Sequence, residues 1–388
     1  YQVEGNNKNA DWWAWENGEY IGSKPHKKYP LEKSGIACDF YNRYDEDFEL
    51  CKELNNNAVR ISLEWARLEP KEGEWHQAEF QHYRKVLESA KDKGLKTFVT
   101  LHHFTNPLWF SEKGGWQSFK SAKYFREYAR KCAQELGDLV DVFLTINEPQ
   151  VLALMGYIRG EWPPNKRSYI KSLLTQINFI RSHKKAYTAI KEVLPEKPVG
   201  IVKNIVWFEP ADKPFNFFGG LVSKFMYFLN NGFILHPLRD HLDLIGLNYY
   251  FTSVINNFKE VTPTEPASDL GWWINPEGLK NTLLRLKKYD LPIYITENGL
   301  ADAKDRLRKD FIKGMLGACL DAIDQGVNLK GYFYWSLIDN FEWHEGYRPR
   351  FGLVEIDREN NLQRIPRDSF YYYADVCKSN SLEVSDNV

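Results

Sequence analysis

The chain has 388 residues, a length that admits two or three average domains or one large α/β barrel. With 43% hydrophobic and 27% charged residues it has enough apolar side chain for a large core, which excludes a mainly disordered or fibrous protein. Lys and Arg number 51 against 52 Asp and Glu, a net charge of -1, so no global field draws in nucleic acid or an anionic membrane.

No charge-poor apolar run reaches the roughly 18 residues of a membrane span, and Tyr1 opens in polar sequence without a signal-peptide pattern. Cys38, Cys51, Cys132, Cys319 and Cys377 are scattered, with no Cys-x-x-Cys pair, which fits reduced thiols and a cytoplasmic protein. Nothing in the sequence sets an oligomeric state.

Taken in chain order, short apolar runs ending in polar residues recur at 58–62, 96–101, 142–146, 199–206, 242–247, 293–296 and 332–335. They read as buried parallel strands. Helix-like stretches fall between them at 79–93, 118–136, 169–194, 276–288 and 305–325, and the alternation implies a parallel sheet. The segment 217–229 places apolar residues at helical spacing and reads as an outer barrel helix, its wide apolar face also suiting a partner, a lipid or an apolar substrate tail.

No repeat or Pro/Ser-rich linker divides the sequence, so residues 1–388 are expected to form a single (β/α)8 TIM barrel domain. An open doubly wound sheet is disfavoured, because no Gly-rich phosphate loop follows an early strand. An eighth strand should come first, yet no apolar run precedes Val3; part of strand one is expected to lie before Tyr1.

In such a barrel catalytic groups sit where strands end. Two runs close alike, in Asn147-Glu148-Pro149 and in Glu297-Asn298-Gly299. Two carboxylates facing one mouth suit glycoside hydrolysis, one protonating the leaving oxygen and the other attacking the anomeric carbon or activating water. Either Glu alone would read as a solvated loop residue. Gln2, Arg60, Glu64, His103, Asn147, Asn248, Tyr250, Trp335, Glu342 and Trp343 also lie at or beyond strand ends. They supply hydrogen-bonding groups for sugar hydroxyls and flat apolar surfaces for a pyranose ring. His102 and His103 are neighbours on one strand and point to opposite faces, so no shared metal ion is expected.

Tyr1-Gln2-Val3-Glu4-Gly5, Arg60-Ile-Ser-x-x-Trp65-x-Arg67, Thr100-Leu-His-His103-Phe, Asn147-Glu148-Pro149, Gly246-Leu-Asn248-Tyr249-Tyr250, Thr296-Glu297-Asn298-Gly299 and Trp335-Ser-Leu-Ile-Asp-Asn-Phe-Glu342-Trp343 resemble, in order, the motifs of glycoside hydrolase family 1. The resemblance implies a retaining β-glycosidase acting on terminal nonreducing β-D-glycosyl residues of a small β-glycoside or short oligosaccharide, with no cofactor. It gives Glu148 as acid/base, Glu297 as nucleophile, Arg60 and Tyr250 as neighbours of Glu297, and Asn147 on the sugar 2-hydroxyl. Gln2, His103 and Glu342 are carried over as hydroxyl ligands beside Asn248, with Trp335 beneath the ring and Trp343 on a hydroxyl. Plant thioglucosidases carry Gln in place of the acid/base, whereas position 148 is Glu. The phosphate-binding segment of phospho-β-glycosidases is missing, so an unphosphorylated β-glucoside, β-galactoside or β-fucoside is expected. The stretch 208–240 is shorter than the family pattern. The alternative is a non-catalytic barrel of the same fold that binds sugar or protein.

Overall fold

The computed structural model describes residues 1–19 and 32–382. Seven of the apolar runs become parallel strands of one sheet: β1 (Ala58–Ser62), β2 (Lys96–His102), β3 (Val142–Asn147), β4 (Val199–Asn204), β6 (Leu244–Asn248), β9 (Ile293–Asn298) and β10 (Leu329–Tyr334), in that spatial order. Helices fill most crossovers, as parallel pairing requires. Ser168 caps the long helix Tyr169–Val193, its hydroxyl accepting from the Lys171 amide at 3.3 Å, and Asn275 caps Pro276–Leu286, with Pro276 at the first helical position.

The sheet curls into a nearly closed (β/α)8-type barrel. Its central strands are buried throughout, as in Val142–Asn147 and Leu244–Asn248, whereas β1 and β10 at the two ends of the order are only half-buried. A cavity of about 680 Å³ is lined by residues of β1 and β10 together with Phe98, Phe333, His103 and Trp343. The run expected at 332–335 starts three residues earlier, at Leu329, and leaves Trp335 beyond its end. Lys330 and Gly331 interrupt its apolar pattern and hide that start.

Two smaller sheets accompany the barrel. On the mouth side, β5 (Trp207–Pro210) pairs parallel with β7 (Thr252–Asn256), and β8 (Lys259–Glu260) folds back on β7. An antiparallel hairpin, β11 (Val354–Asp357) and β12 (Gln363–Pro366), precedes the closing helix Asp368–Ser379. The run read as one strand over 199–206 is therefore split. β4 ends at Asn204, and the chain turns into β5 at Trp207. The reading of 217–229 as an outer barrel helix is corrected: the helix Gly219–Tyr227 lies on β5 and β7, and its apolar stripe faces outward.

Ladder register slips at the strand ends that reach the mouth, between Leu144 and Asn147 on β3, between Leu247 and Asn248 on β6, and between Tyr332 and Tyr334 opposite Asn298. Such bulges re-aim side chains, and each lies beside a residue of the candidate site.

Candidate active site

Arg60, on β1, reaches across the barrel interior. Its Nη1 donates to Glu297 Oε1 at 2.5 Å, its Nη2 to Asn147 Oδ1 at 2.7 Å and its Nε to Thr100 Oγ1 at 3.0 Å. The Tyr250 hydroxyl donates to the other Glu297 oxygen at 2.7 Å. Both oxygens of Glu297 thus accept from donors, one of them a cation, at a position only 4% exposed. This arrangement uses Gly299: a Cβ there would sit 1.6 Å from the Trp335 carbonyl oxygen, so only glycine lets the two strand ends approach this closely.

Glu148 is placed differently. Its backbone is left-handed, at φ 44° and ψ 57°, and caps the short helix Pro149–Leu154. Consecutive strand residues alternate faces, yet Asn147 and Glu148 both meet Asn248. The turn at Glu148 makes that possible, at a backbone cost that persists mainly at functional positions. Asn248 Nδ2 donates to Glu148 Oε1 at 2.7 Å and to Asn147 Oδ1 at 3.3 Å, while its own Oδ1 accepts from Thr296 Oγ1 at 2.7 Å. Asn204 Nδ2 donates to the same Glu148 oxygen at 3.1 Å. Both side-chain hydrogen bonds of Glu148 among the described residues fall on Oε1, and neither comes from a cation. Burial first, and the Glu297 carboxylate second, push its carboxyl up to about 7.

The sugar-binding candidates line the other side of the mouth. Gln2 Nε2 donates to Asn340 Oδ1 at 3.0 Å and to Glu342 Oε2 at 3.4 Å. The His103 ring lies near-parallel to Trp335 and to Trp343, with centroids 6.1 and 5.8 Å away, its Nδ1 3.3 Å from Ser62 Oγ and its Nε2 3.3 Å from Asn147 Nδ2. Burial, then Arg60, hold His103 well below the usual imidazole range, so it is neutral near pH 7. Burial, then the charges of Glu297 and Glu148, push Glu342 up to about 8.

The structure thus joins Arg60, Asn147, Glu148, Asn248, Tyr250 and Glu297 in one hydrogen-bonded network. Gln2 and Glu342 form a second group, and His103, through Asn147, brings the Trp335 and Trp343 rings against the network. Glu64, counted with the rim by sequence, is committed elsewhere, accepting from Asn7 Nδ2 at 2.7 Å and Thr105 Oγ1 at 2.8 Å. Asn204, Thr100 and Asn340 were not singled out. The signal for Asn204 was present, since an Asn also ends β3 and β6, but reading the strand on to residue 206 placed it mid-strand. His102 turns away from His103, its Nε2 lying 3.0 Å from Asn106 Oδ1. Among the described residues no group of three or more His, Cys, Asp or Glu side chains is arranged to hold a metal ion, and no helix is long and apolar enough to cross a membrane.

The model of glycosyl hydrolase family 1 matches residues 1–238 and 234–382. β-Glucosidase A of Thermotoga maritima is 34% identical over 90% of this chain and 88% of its own length. Among solved structures, the β-glycosidase of Pyrococcus horikoshii superposes with a TM-score of 0.90 at 34% identity, covering 98% of this chain and 92% of that one. The Thermotoga maritima β-glucosidase in complex with glucoimidazole does so with a TM-score of 0.90 at 31% identity, over 99% and 96%. On fold, motif order and overall likeness together, the chain belongs to glycosyl hydrolase family 1, a family of retaining β-glycosidases.

Proposed function

We propose that Glu297 is the nucleophile and Glu148 the acid/base of a double displacement on terminal nonreducing β-D-glycosyl residues. The observation that carries the assignment is the asymmetry of the two carboxyls. Glu297 has an Arg60 guanidinium and a Tyr250 hydroxyl on its oxygens, while Glu148 has only amide donors and a raised pKa. A Glu297 oxygen attacks the anomeric carbon, the bond from that carbon to the aglycone oxygen breaks, and Glu148 gives its proton to the departing oxygen. The ester removes the Glu297 charge, which lowers the Glu148 pKa. Glu148 then takes a proton from water, the water oxygen attacks the anomeric carbon, and Glu297 leaves as a carboxylate.

Asn147, its Oδ1 already engaged by Arg60 and Asn248, offers Nδ2 to the sugar 2-hydroxyl. Gln2, His103, Glu342 and Trp343 take the remaining hydroxyls, and Trp335 supports the ring. A small β-glucoside is the expected substrate, with β-galactosides and β-fucosides as epimeric variants and short oligosaccharides as longer ones. The barrel and its appended sheets act as one catalytic domain over 1–388, and the cysteines, free among the described residues, suit a cytoplasmic location. The binding-only alternative leaves the strained Glu148 backbone and the paired Glu297 without a purpose.

Azide rescue tests the roles. With an activated aryl β-glycoside, Glu148→Ala should form the β-glycosyl azide and Glu297→Ala the α-glycosyl azide. The reverse pattern would overturn the assignment.

A further inference from the structure

The helix Gly219–Tyr227 is inside out. Its buried face is Gly219, Ser223 and Tyr227, with Tyr227 held by the Arg285 guanidinium 3.8 Å over its ring. Its solvent side continues the stripe Phe217, Leu221, Phe225 and Phe228, exposed at 78%, 70%, 58% and 46%. An ordinary surface helix has the opposite polarity.

Two neighbouring tips extend the stripe. Phe215 is 79% exposed and Phe258, in the β7–β8 turn, 76%. Asn216 Nδ2 donates to the Ala211 and Ile255 carbonyls at 2.7 and 3.2 Å, its Oδ1 accepts from the Gly219 and Asn257 amides at 3.1 and 2.7 Å, and Asn257 Nδ2 donates to the Phe215 carbonyl at 3.1 Å. Phe215 itself is left-handed, at φ 63°, an outlier for a bulky side chain. The scaffold therefore holds a phenylalanine outward at a conformational cost.

The charge of this face has one sign over a long stretch. Lys213 and Lys224 are exposed, and between the exposed Asp212 and Asp240 at its two ends the stretch carries no Asp or Glu. Lys259 is exposed beside Phe258, and the adjacent Glu260 accepts from Ser253 and Thr262 hydroxyls at 2.7 and 2.8 Å. Projecting phenylalanines with interleaved lysines match the layered chemistry of an anionic bilayer, acyl chains under a negative headgroup plane. A helix side and two turn tips need no complementary shape from such a surface, as they would from a protein partner.

We propose that this face docks the protein peripherally on anionic lipid membranes. The near-zero net charge of the chain does not oppose this, because surface attraction is set by charges within about a Debye length, roughly 10 Å at moderate salt. The docking face stands on the mouth side: β5 follows Asn204, which bonds Glu148, and β7 follows Tyr250, which bonds Glu297. Membrane docking does not depend on the roles of Glu148 or Glu297, so the two readings fail separately.

The test is co-sedimentation of the full chain with phosphatidylcholine vesicles, with and without roughly a third phosphatidylglycerol, alongside size-exclusion chromatography. The wild type should bind the anionic vesicles roughly tenfold or more tightly than the neutral ones. Combined Phe217→Ser, Leu221→Ser and Phe225→Ser should abolish binding, and combined Lys213→Gln, Lys224→Gln and Lys259→Gln should reduce it to the neutral-vesicle level. Turnover of a soluble aryl β-glycoside should be unchanged in both. Phe215→Gly provides a variant that folding failure cannot explain away: it relieves the left-handed strain, so its thermal midpoint should rise while vesicle affinity falls. No binding by wild type, undiminished binding by the serine variant or by Phe215→Gly, or a wild-type dimer that the serine variant makes monomeric would each overturn the proposal.

Discussion

The barrel mouth and the 207–260 lobe beside it break the inside-outside rule in opposite directions. At the mouth, carboxylates, amides and a guanidinium point inward, and those of the central network are matched by buried partners. On the lobe, phenylalanines point outward while Gly219, Ser223 and Tyr227 occupy the buried side of the helix. The mouth shows what burial of charge requires, since Glu297 is stable there because Arg60 and Tyr250 occupy its oxygens. The lobe shows apolar exposure retained despite its cost in water. Both departures stand on the same end of the barrel, where positions are committed to what they contact rather than to the core.

The comparison breaks most severely if Arg60 is removed. Arg60→Met leaves Glu297 buried without its cation, and loss of one partner of a buried pair costs about 3–5 kcal/mol. We expect turnover of an aryl β-glucoside to fall by roughly 10³-fold or more and the thermal midpoint to drop. Thermal melts and a pH-rate profile check both, and a variant of near-normal activity would show that the guanidinium is merely structural.

A smaller effect comes from Glu342. A sugar 6-phosphate would bring like charge against this half-buried carboxyl, and discrimination in kcat/KM of about 10²-fold is expected where Glu342 is ionised. Since Glu342 is pushed up to about 8, the penalty should be largest near pH 9 and shrink toward pH 6. Glu342→Gln should flatten that dependence. The measurement is kcat/KM for an aryl β-glucoside and its 6-phosphate across this range; equal use of both at high pH would remove Glu342 from the sugar site.

The smallest expected effect sharpens the distinction between the two glutamates. Glu148 must hold a proton for the first step, and its folded-state pKa is raised to about 7. The first step is therefore expected to fall about tenfold per pH unit above that value. With a substrate whose leaving group needs no proton, Glu148→Ala should lose this limb. If the limb persists in Glu148→Ala, another group sets it.

Much of the mouth was legible because strand ends carry their own punctuation. Glu148 and Glu297 each close an apolar run next to Asn, and Tyr250 follows a third such run. The network itself was not legible, because it depends on bulges at Asn147, Asn248 and Asn298 that no periodicity encodes. Asn204 was hidden when one apolar run served two strands that diverge at Ile205. Glu64 misled for the converse reason: a polar residue at a strand end reads the same whether it faces substrate or bonds to Asn7. The spacing in 217–229 correctly announced a helix, but periodicity reports that one face is apolar and not which way it turns. The three-stranded lobe was missed because its strands are two to five residues long and lie inside apparent loops.

The Arg60–Glu297 pair joins residues 237 positions apart, and Gln2 meets Glu342 across 340. Contacts this distant make folding slow, because loop entropy is spent before the contact returns anything. During synthesis at about 5–20 residues per second, Gln2 waits on the order of half a minute for its partner to leave the ribosome. Through that interval Arg60 has no anion. The emerging amino-terminal half is thus a natural client for chaperones, and enzymatic activity in a translation reaction should appear only after the last barrel strand, as a delayed step rather than a gradual rise.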